Sequence, residues 1–313
     1  MSSGARTRSS FFKAPPPAVA VEIAADRVAV VSIERTGDGA VVDGYAVEPL
    51  PPGVVTPTLN GRNVQDANGA GDALRRALER SGIRGTRAVL VVPDAIARVS
   101  IVPFETVPGS AADLEQLLRW QVRKSVPFTI DAAQMSWERG AQNEFVVTLA
   151  RRDVVEEYEA LCTRAGLHAG IVDLATFNLI NAVLASGAPP EGDWLLVHRT
   201  AGDASIGIVR GDRLIFFRNR TTPPDETVED LVHQTAMYHE DRLGGGRFAR
   251  VVVSGRSVAA AADARRAIEA RFGVPVETID PRAAAALRDR IAAGPELLEA
   301  LASPVGALMR EGA

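Results

Sequence analysis

Apolar positions along this chain run through the same series of rhythms twice. From residue 18 the spacing is that of strands: AVAVEI (18–23), RVAVVSIER (27–35) and AVVDGYAVEPL (40–50), separated by tight turns, predict an antiparallel meander. After a Pro/Gly-rich loop over 49–61, Ala73, Leu74, Ala77 and Leu78 recur at helical spacing within 66–81, and TRAVLVVPD (86–94) reads as a buried strand. A helix over 152–165, a strand over 167–173 and a helix over 175–185 complete the unit. The second pass opens with DWLLVHRT, DASIGIVR and DRLIFFRNR, split by Gly/Asp turns. It continues with a helix over 225–243, the strand ARVVVSG, a helix over 257–272, a strand over 274–279 and Ala/Leu-rich helices up to Met309. A βββαβα unit occurring twice predicts a duplicated α/β architecture of two lobes. The length of 313 residues agrees, because single cores stop growing at about 250–300 residues.

One stretch interrupts the first unit. A strand (ARVSIVPFE), a helix over 110–126 and two strands near 135–137 and 144–150 predict a small inserted α+β subdomain. Its helix marks both ends, with Ser110 as N-cap, Asp113 in the first turn and Pro127 forbidding continuation past Val126. Leu114, Leu117, Leu118, Gln121, Val122, Ser125 and Val126 share the face expected to be buried. Trp120 falls among the polar positions and needs cover, either inside the protein, which is the expectation, or from a partner. The expected division is a disordered tail (1–17), a first lobe (18–93 and 151–187) around the insertion (94–150), and a second lobe (188–313) on which the last helix packs.

Composition narrows the function classes. A net charge of −4 with scattered arginines gives no basis for binding nucleic acid or a membrane surface. A single cysteine, Cys162, excludes an internal disulfide and fits a reducing compartment. No apolar run approaches the roughly 18 residues of a membrane span, so a cytoplasmic protein is expected, with any membrane location supplied by a partner. Gly244-Gly245-Gly246 precedes Arg-Phe rather than Lys-Ser/Thr and is no phosphate loop, and His233 and His239 lie on different sides of one helix.

Four ordered motifs carry a family resemblance: the helix ending in R-W-x-x-x-x-x-V-P-F, the helix R-R-D-V-V-x-x-Y-x-x-L-x-x-x-A-G-L, the turn V-D-L-A-T-F-N-L, and the ending A-L-A-S-P-V-G-A-L-M-R. In this order they resemble the type IV pilus assembly protein PilM family, related to GspL and FtsA. The resemblance implies an actin-like fold, two ribonuclease-H-like lobes facing a nucleotide cleft.

The phosphate-gripping turns of that fold need an Asp for hydrated metal and glycines for close backbone approach. PilM relatives read G-I-D-I-G-S-S-S-x-K in the first turn. Here Glu22 stands at the Asp, Ala24 at the Gly, and Asp26 and Arg27 in the turn. In the second turn His198 stands at the Asp and Thr200 at the Gly, and in the adenosine turn Ser254 and Gly255 persist while Arg256 and Ser257 add side chains. A neutral imidazole is a poor Mg²⁺ ligand. These departures imply a vestigial site with no cofactor, closed instead by an ion pair across the cleft among Arg27, His198, Arg199 and Asp203. The alternative is an ATP/Mg-binding ATPase or switch in which Glu22, Arg27 and Asp203 are substitutes.

The resemblance further implies a non-catalytic adaptor of a type IV pilus (or type II secretion-like) inner-membrane platform. Its partner would be the N-terminal cytoplasmic peptide of a PilN-like membrane protein, bound between first lobe and insertion, and self-association into a ring is a further partner call. Carried over by position, the partner-binding residues are Val102, Pro103, Phe104, Arg119, Trp120, Arg123, Pro127 and Phe128. FtsA-like membrane filaments would need a basic terminal amphipathic helix, which the acidic last helix does not supply.

Overall fold

The computed structural model describes residues 17–37, 39–188, 191–223, 225–255, 258–288 and 293–310. The expectations for the N-terminal tail before Pro17 and for Arg256 and Ser257 fall outside these. The first meander comprises β1 (Val19–Ile23), β2 (Arg27–Thr36) and β3 (Gly39–Pro49), with β1 buried at every position between β2 and the parallel strand β4 (Arg87–Val92). Between them runs α1 (Ala67–Ser81), capped by the Asp66 side chain at its start and by left-handed Gly82 at its end.

The insertion follows as β5 (Ala97–Pro103), α2 (Ala111–Val122), β6 (Ala133–Arg139) and β7 (Glu144–Arg151), in the sheet order β5-β7-β6. Leu114, Leu118 and Val122 of α2 pack on Phe145, Val147 and Leu149 of β7. Ser110 caps α2 as expected, but the helix stops at Val122 rather than reaching Val126. The Ser125 amide and hydroxyl both donate to the Val122 carbonyl, at 2.9 and 2.7 Å, tightening the chain into a turn before Pro127, which disfavours helix in the residue it follows.

The first lobe resumes with α3 (Arg152–Arg164), β8 (His168–Leu174) and α4 (Ala175–Ala185). The second lobe contains β9 (Asp193–Arg199), β10 (Asp203–Arg210), β11 (Arg213–Thr221), α5 (Val228–Leu243), β12 (Val251–Gly255), α6 (Val258–Phe272) and β13 (Val276–Thr278). Its sheet order, β11-β10-β9-β12-β13, repeats the first lobe's β3-β2-β1-β4-β8. The duplication read from the sequence is therefore present strand for strand.

Beyond β13 the chain departs from the helices expected there. A 3-10 turn (Pro281–Ala283) leads to β14 (Ala286–Leu287), which pairs parallel with β3 of the first sheet, and then to α7 (Pro295–Met309). The expectation that α7 packs on the second lobe is also corrected. Leu301, Val305 and Leu308 join Ala20, Val31, Val89 and Val91 under the first sheet. Conversely, Leu179, Ile180 and Val183 of α4 pack with Trp194, Leu196, Val209 and Val252 of the second. The two helices thus cross between the lobes, each burying its apolar face largely against the other lobe's sheet. A Cβ on Gly306 of α7 would lie 1.8 Å from the Asn178 carbonyl oxygen of α4, so only glycine permits this approach. Among the described residues no helix is long and apolar enough to cross a membrane.

Candidate functional site

Two concavities adjoin the α4–α7 crossing. The first lies between the lobes, where the β1–β2 hairpin faces the β9–β10 hairpin across a cleft of about 530 Å³. Glu22, the fourth residue of β1, is only 3% exposed, and Arg27 at the start of β2 reaches back to it, with Nε and Nη2 at 3.2 and 3.0 Å from Oε2. Asp26 lies 3.6 Å from the same guanidinium. Burial alone would weaken Arg27's hold on its proton, but the charges of Glu22, Asp26 and Glu299 outweigh it and raise its pKa. Ala24 closes the turn by donating its N–H to the Arg27 carbonyl at 2.9 Å.

Opposite, His198 is buried, and burial pushes its pKa below the usual imidazole range even though Glu22 and Asp203 face it along with Arg27; its Nδ1 lacks a hydrogen-bond partner. The Thr200 hydroxyl accepts from the Asp203 and Gly202 amides at 3.1 and 3.3 Å, making a tight polar turn. The Asp203 carboxylate accepts from the Asn219 amide at 3.0 Å, and Arg199 donates to the backbone of Glu226. Ser254 is buried at the end of β12. Gly255, at φ 148°, would bring a Cβ to 2.4 Å from the Arg199 carbonyl oxygen. Its bareness serves strand packing.

Among the described residues, Arg27, His198, Arg199 and Asp203 form no ion pair with one another across the cleft. Arg27 pairs within its own hairpin, and the lobes are joined through Asp94, which the sequence reading passed over. Its carboxylate accepts from the Thr176 amide (3.1 Å) and hydroxyl (2.5 Å) at the head of α4, and from the Ser205 hydroxyl of β10 (2.6 Å). Burial raises the Asp94 pKa against these three donors. An acid directly after a fully buried strand, in V-V-P-D, was the available signal.

The second concavity is a groove of about 570 Å³ between the insertion and the first lobe, closed on one side by Asp212, Arg213 and Leu214 of the second lobe. β6 is the outer strand of the inserted sheet and β8 the outer strand of the first-lobe sheet, and both edges border the groove. Val146, Val172, Phe177 and Ile180 contribute its apolar lining, and Ser136 and Thr148 its polar one. Arg310, just past α7, spans it by pairing with Asp173 of β8 at 3.3 Å and with Glu138 of β6. Burial pushes the Asp173 carboxyl up to about 6, with Arg310 opposing the shift.

A family model described as type IV pilus assembly protein PilM matches residues 20–242. The chain belongs to the PilM family. Among solved structures it is similar to the PilM-PilN type IV pilus biogenesis complex, with 16% identity over 93% of this chain and 96% of that one and a TM-score of 0.75. A Bacteroides thetaiotaomicron protein with actin-like ATPase fold and unknown function is 8% identical over 84% of this chain and 90% of its own, with a TM-score of 0.52. The ethanolamine utilization protein EutJ from Carboxydothermus hydrogenoformans is 14% identical over 95% and 90%, also with a TM-score of 0.52. The fold of this PilM-family chain is thus the actin-like ATPase fold.

Within this PilM-family chain the nine residues assigned to the nucleotide cleft do not all reach it. Glu22, Ala24, Asp26, Arg27, His198, Thr200 and Asp203 line one cleft, whereas Ser254 and Gly255 end β12 in register with His198 and Arg199 and are not part of its lining. The eight residues assigned to partner binding gather on the insertion, and none lines the groove. Val102 is a core residue, 5% exposed, because strand alternation turns it toward α2. Phe104 packs edge-on against Phe145 at 5.6 Å, and Phe128 joins the same cluster. Pro103 and Pro127 are exposed, and Arg119 pairs with Glu115 at 3.1 Å. Trp120 is 61% exposed, contrary to the expectation that it packs inside; Arg123 stacks over it at 4.4 Å. Leu117, expected on the buried face, is also exposed. A three-stranded sheet covers only the narrow stripe of Leu114, Leu118 and Val122.

Proposed function

We propose that this PilM-family chain is a non-catalytic adaptor of a type IV pilus inner-membrane assembly platform, and that its groove holds the N-terminal cytoplasmic tail of a PilN-like membrane protein. The observation that carries the reading is the pair of outer strands, β6 and β8, bordering one partly apolar groove. An outer strand offers unpaired backbone donors and acceptors, which an extended peptide completes while its side chains fill the pockets. In this reading the peptide meets residues of β6 and β8 rather than the eight positions carried over from the family. Likeness to a PilM-PilN complex supports PilN-type chemistry for the peptide. The partner would also supply a peripheral place at the inner membrane.

The interlobe cleft favours a pseudo-ATPase. Glu22 already neutralises Arg27, and a neutral His198 is a weak Mg²⁺ ligand. The test is calorimetry of the full chain with Mg-ATP and, separately, with a synthetic N-terminal peptide of a PilN-like membrane protein from the same organism. Peptide heat abolished by Ser136→Trp, which fills the groove, and retained in Glu22→Ala supports the adaptor. Micromolar ATP binding lost in Glu22→Ala overturns the pseudo-ATPase reading, and peptide heat indifferent to Ser136→Trp overturns the groove.

A further inference from the structure

Among the large apolar side chains exposed in the described residues, Trp120 is the most open to solvent, at 61%. It lies three residues after Leu117, itself 41% exposed, so the two make an outward stripe on α2. Leu114, Leu118 and Val122 hold the other side of the helix against the core of the insertion. Past Trp120 the stripe ends in Arg123 and Lys124, both exposed and neither in an ion pair among the described residues. Arg123 lies over the indole at 4.4 Å and donates to the Trp120 carbonyl, so cation and ring are held side by side. The acids of the helix sit nearer its start: Asp113 is in the first turn, and Glu115 is taken by Arg119. The C-terminal half of α2 therefore presents apolar and cationic chemistry together.

We propose that the C-terminal half of α2 rests on an anionic lipid surface, with Leu117 and Trp120 entering the boundary between headgroups and acyl chains and Arg123 and Lys124 meeting the lipid phosphates. An indole is apolar with one polar N–H and settles at that depth, while Arg and Lys lay their stems along apolar surface and keep their charged heads at the phosphates. The net charge of −4 does not oppose this, because charges farther off than the Debye length of about 8 Å are screened and the bilayer meets the local cations. A protein partner is the poorer match. Two side chains three residues apart fall far short of the roughly 1,200 Å² of a specific protein interface, whereas a bilayer asks for no complementary shape. Each cation near an anionic leaflet strengthens binding about fivefold, so the contact is weak for a free chain and counts once a tether holds the chain at the bilayer. A membrane-anchored peptide in the groove is such a tether. None of the four α2 residues lines that groove, so the lipid contact is measured without the peptide.

The test is co-sedimentation of the full chain with vesicles, read together with tryptophan emission. The vesicles are phosphatidylethanolamine mixed with phosphatidylglycerol, or phosphatidylcholine alone. Trp194 is fully buried and Trp137 packs on Phe145 at 5.6 Å, so a lipid-dependent blue shift reports Trp120. The expected result is sedimentation with the anionic vesicles accompanied by a blue shift. Binding should be at least tenfold weaker to phosphatidylcholine, in the double variant Arg123→Ala, Lys124→Ala, and in Trp120→Ala. Each change removes an exposed side chain, and an unchanged melting temperature checks folding. No sedimentation at about 5 mM anionic lipid, where even a marginal anchor binds, overturns the proposal, as does equal binding to phosphatidylcholine. Sedimentation that survives Trp120→Ala assigns the lipid contact to another stretch, such as the Arg- and Phe-containing residues 6–13, and also overturns it. A blue shift that grows with protein concentration in the absence of lipid assigns α2 to a protein partner, with the same consequence.

Discussion

Gly306→Ala sets two helix effects against each other, and the geometry decides which wins. Within a helix, replacing Gly by Ala gains about 1 kcal/mol of backbone propensity. At the α4–α7 crossing, however, the new methyl would lie 1.8 Å from the Asn178 carbonyl oxygen, 2.8 Å from its carbon and 2.9 Å from the Ala182 nitrogen, where real contacts begin at about 3.0 Å. All three are backbone atoms and cannot rotate aside, so the helices must part by about 3.0 − 1.8 = 1.2 Å. Overpacking of this kind costs about 1–3 kcal/mol or more, and a gap of that order forfeits a quarter to a half of the dispersion energy along the seam. The net expectation is a loss of about 2 kcal/mol, lowering the melting temperature by roughly 4–8 °C at the slope of a large domain. Gly71→Ala is the control. Gly71 is also helical, but a Cβ there meets nothing within 4 Å, so the same substitution should stabilise by about 0.5–1 kcal/mol. Parallel thermal and urea melts of both variants measure the difference. A Gly306→Ala protein as stable as the natural one would refute the close crossing and with it the coupling of the lobes through these helices.

Three further outcomes are expected. Glu22→Ala removes the nearest carboxylate from the buried Arg27 guanidinium, leaving the charges of Asp26 and Glu299, and should cost about 3 kcal/mol in urea unfolding; an unchanged midpoint would mean that the pair is not sequestered. Asp173 has a folded pKa raised to about 6, so its favourable contribution is complete below its ordinary value near 4 and is lost as pH rises through 6. Asp173→Asn should therefore gain stability relative to the natural chain from about pH 4 to pH 6 and hold that gain above it, and a flat difference between their melting temperatures across that range would contradict the assignment. Trp120→Ala should change stability by less than about 0.5 kcal/mol, against about 3–5 kcal/mol for Phe145→Ala in the core of the same subdomain, both read by chemical denaturation.

Much of the cleft was legible in the sequence because its hairpin residues follow directly on strands whose alternation gives them away. Glu22 and Arg27 belong to consecutive strands of one meander, and His198 and Asp203 to its repeat, so local order placed each pair in one turn. Their partners were less legible: Asp94 meets Ser205 across 111 positions, and no spacing rule reaches that far.

The sequence by itself determined the duplicated meander, the inserted subdomain and the cap of α2. Each depends on periodicity or on hydrogen bonds between near neighbours. Only the tertiary structure decided that α7 crosses to the first sheet, that β14 joins β3, and that the outer strands of two sheets border one groove. An amphipathic helix records that it has an apolar face but not which sheet will cover it. That α7 covers the first sheet while lying close against α4 at Gly306 depends on the path of the chain and on the helix pairing, both properties of the packed whole.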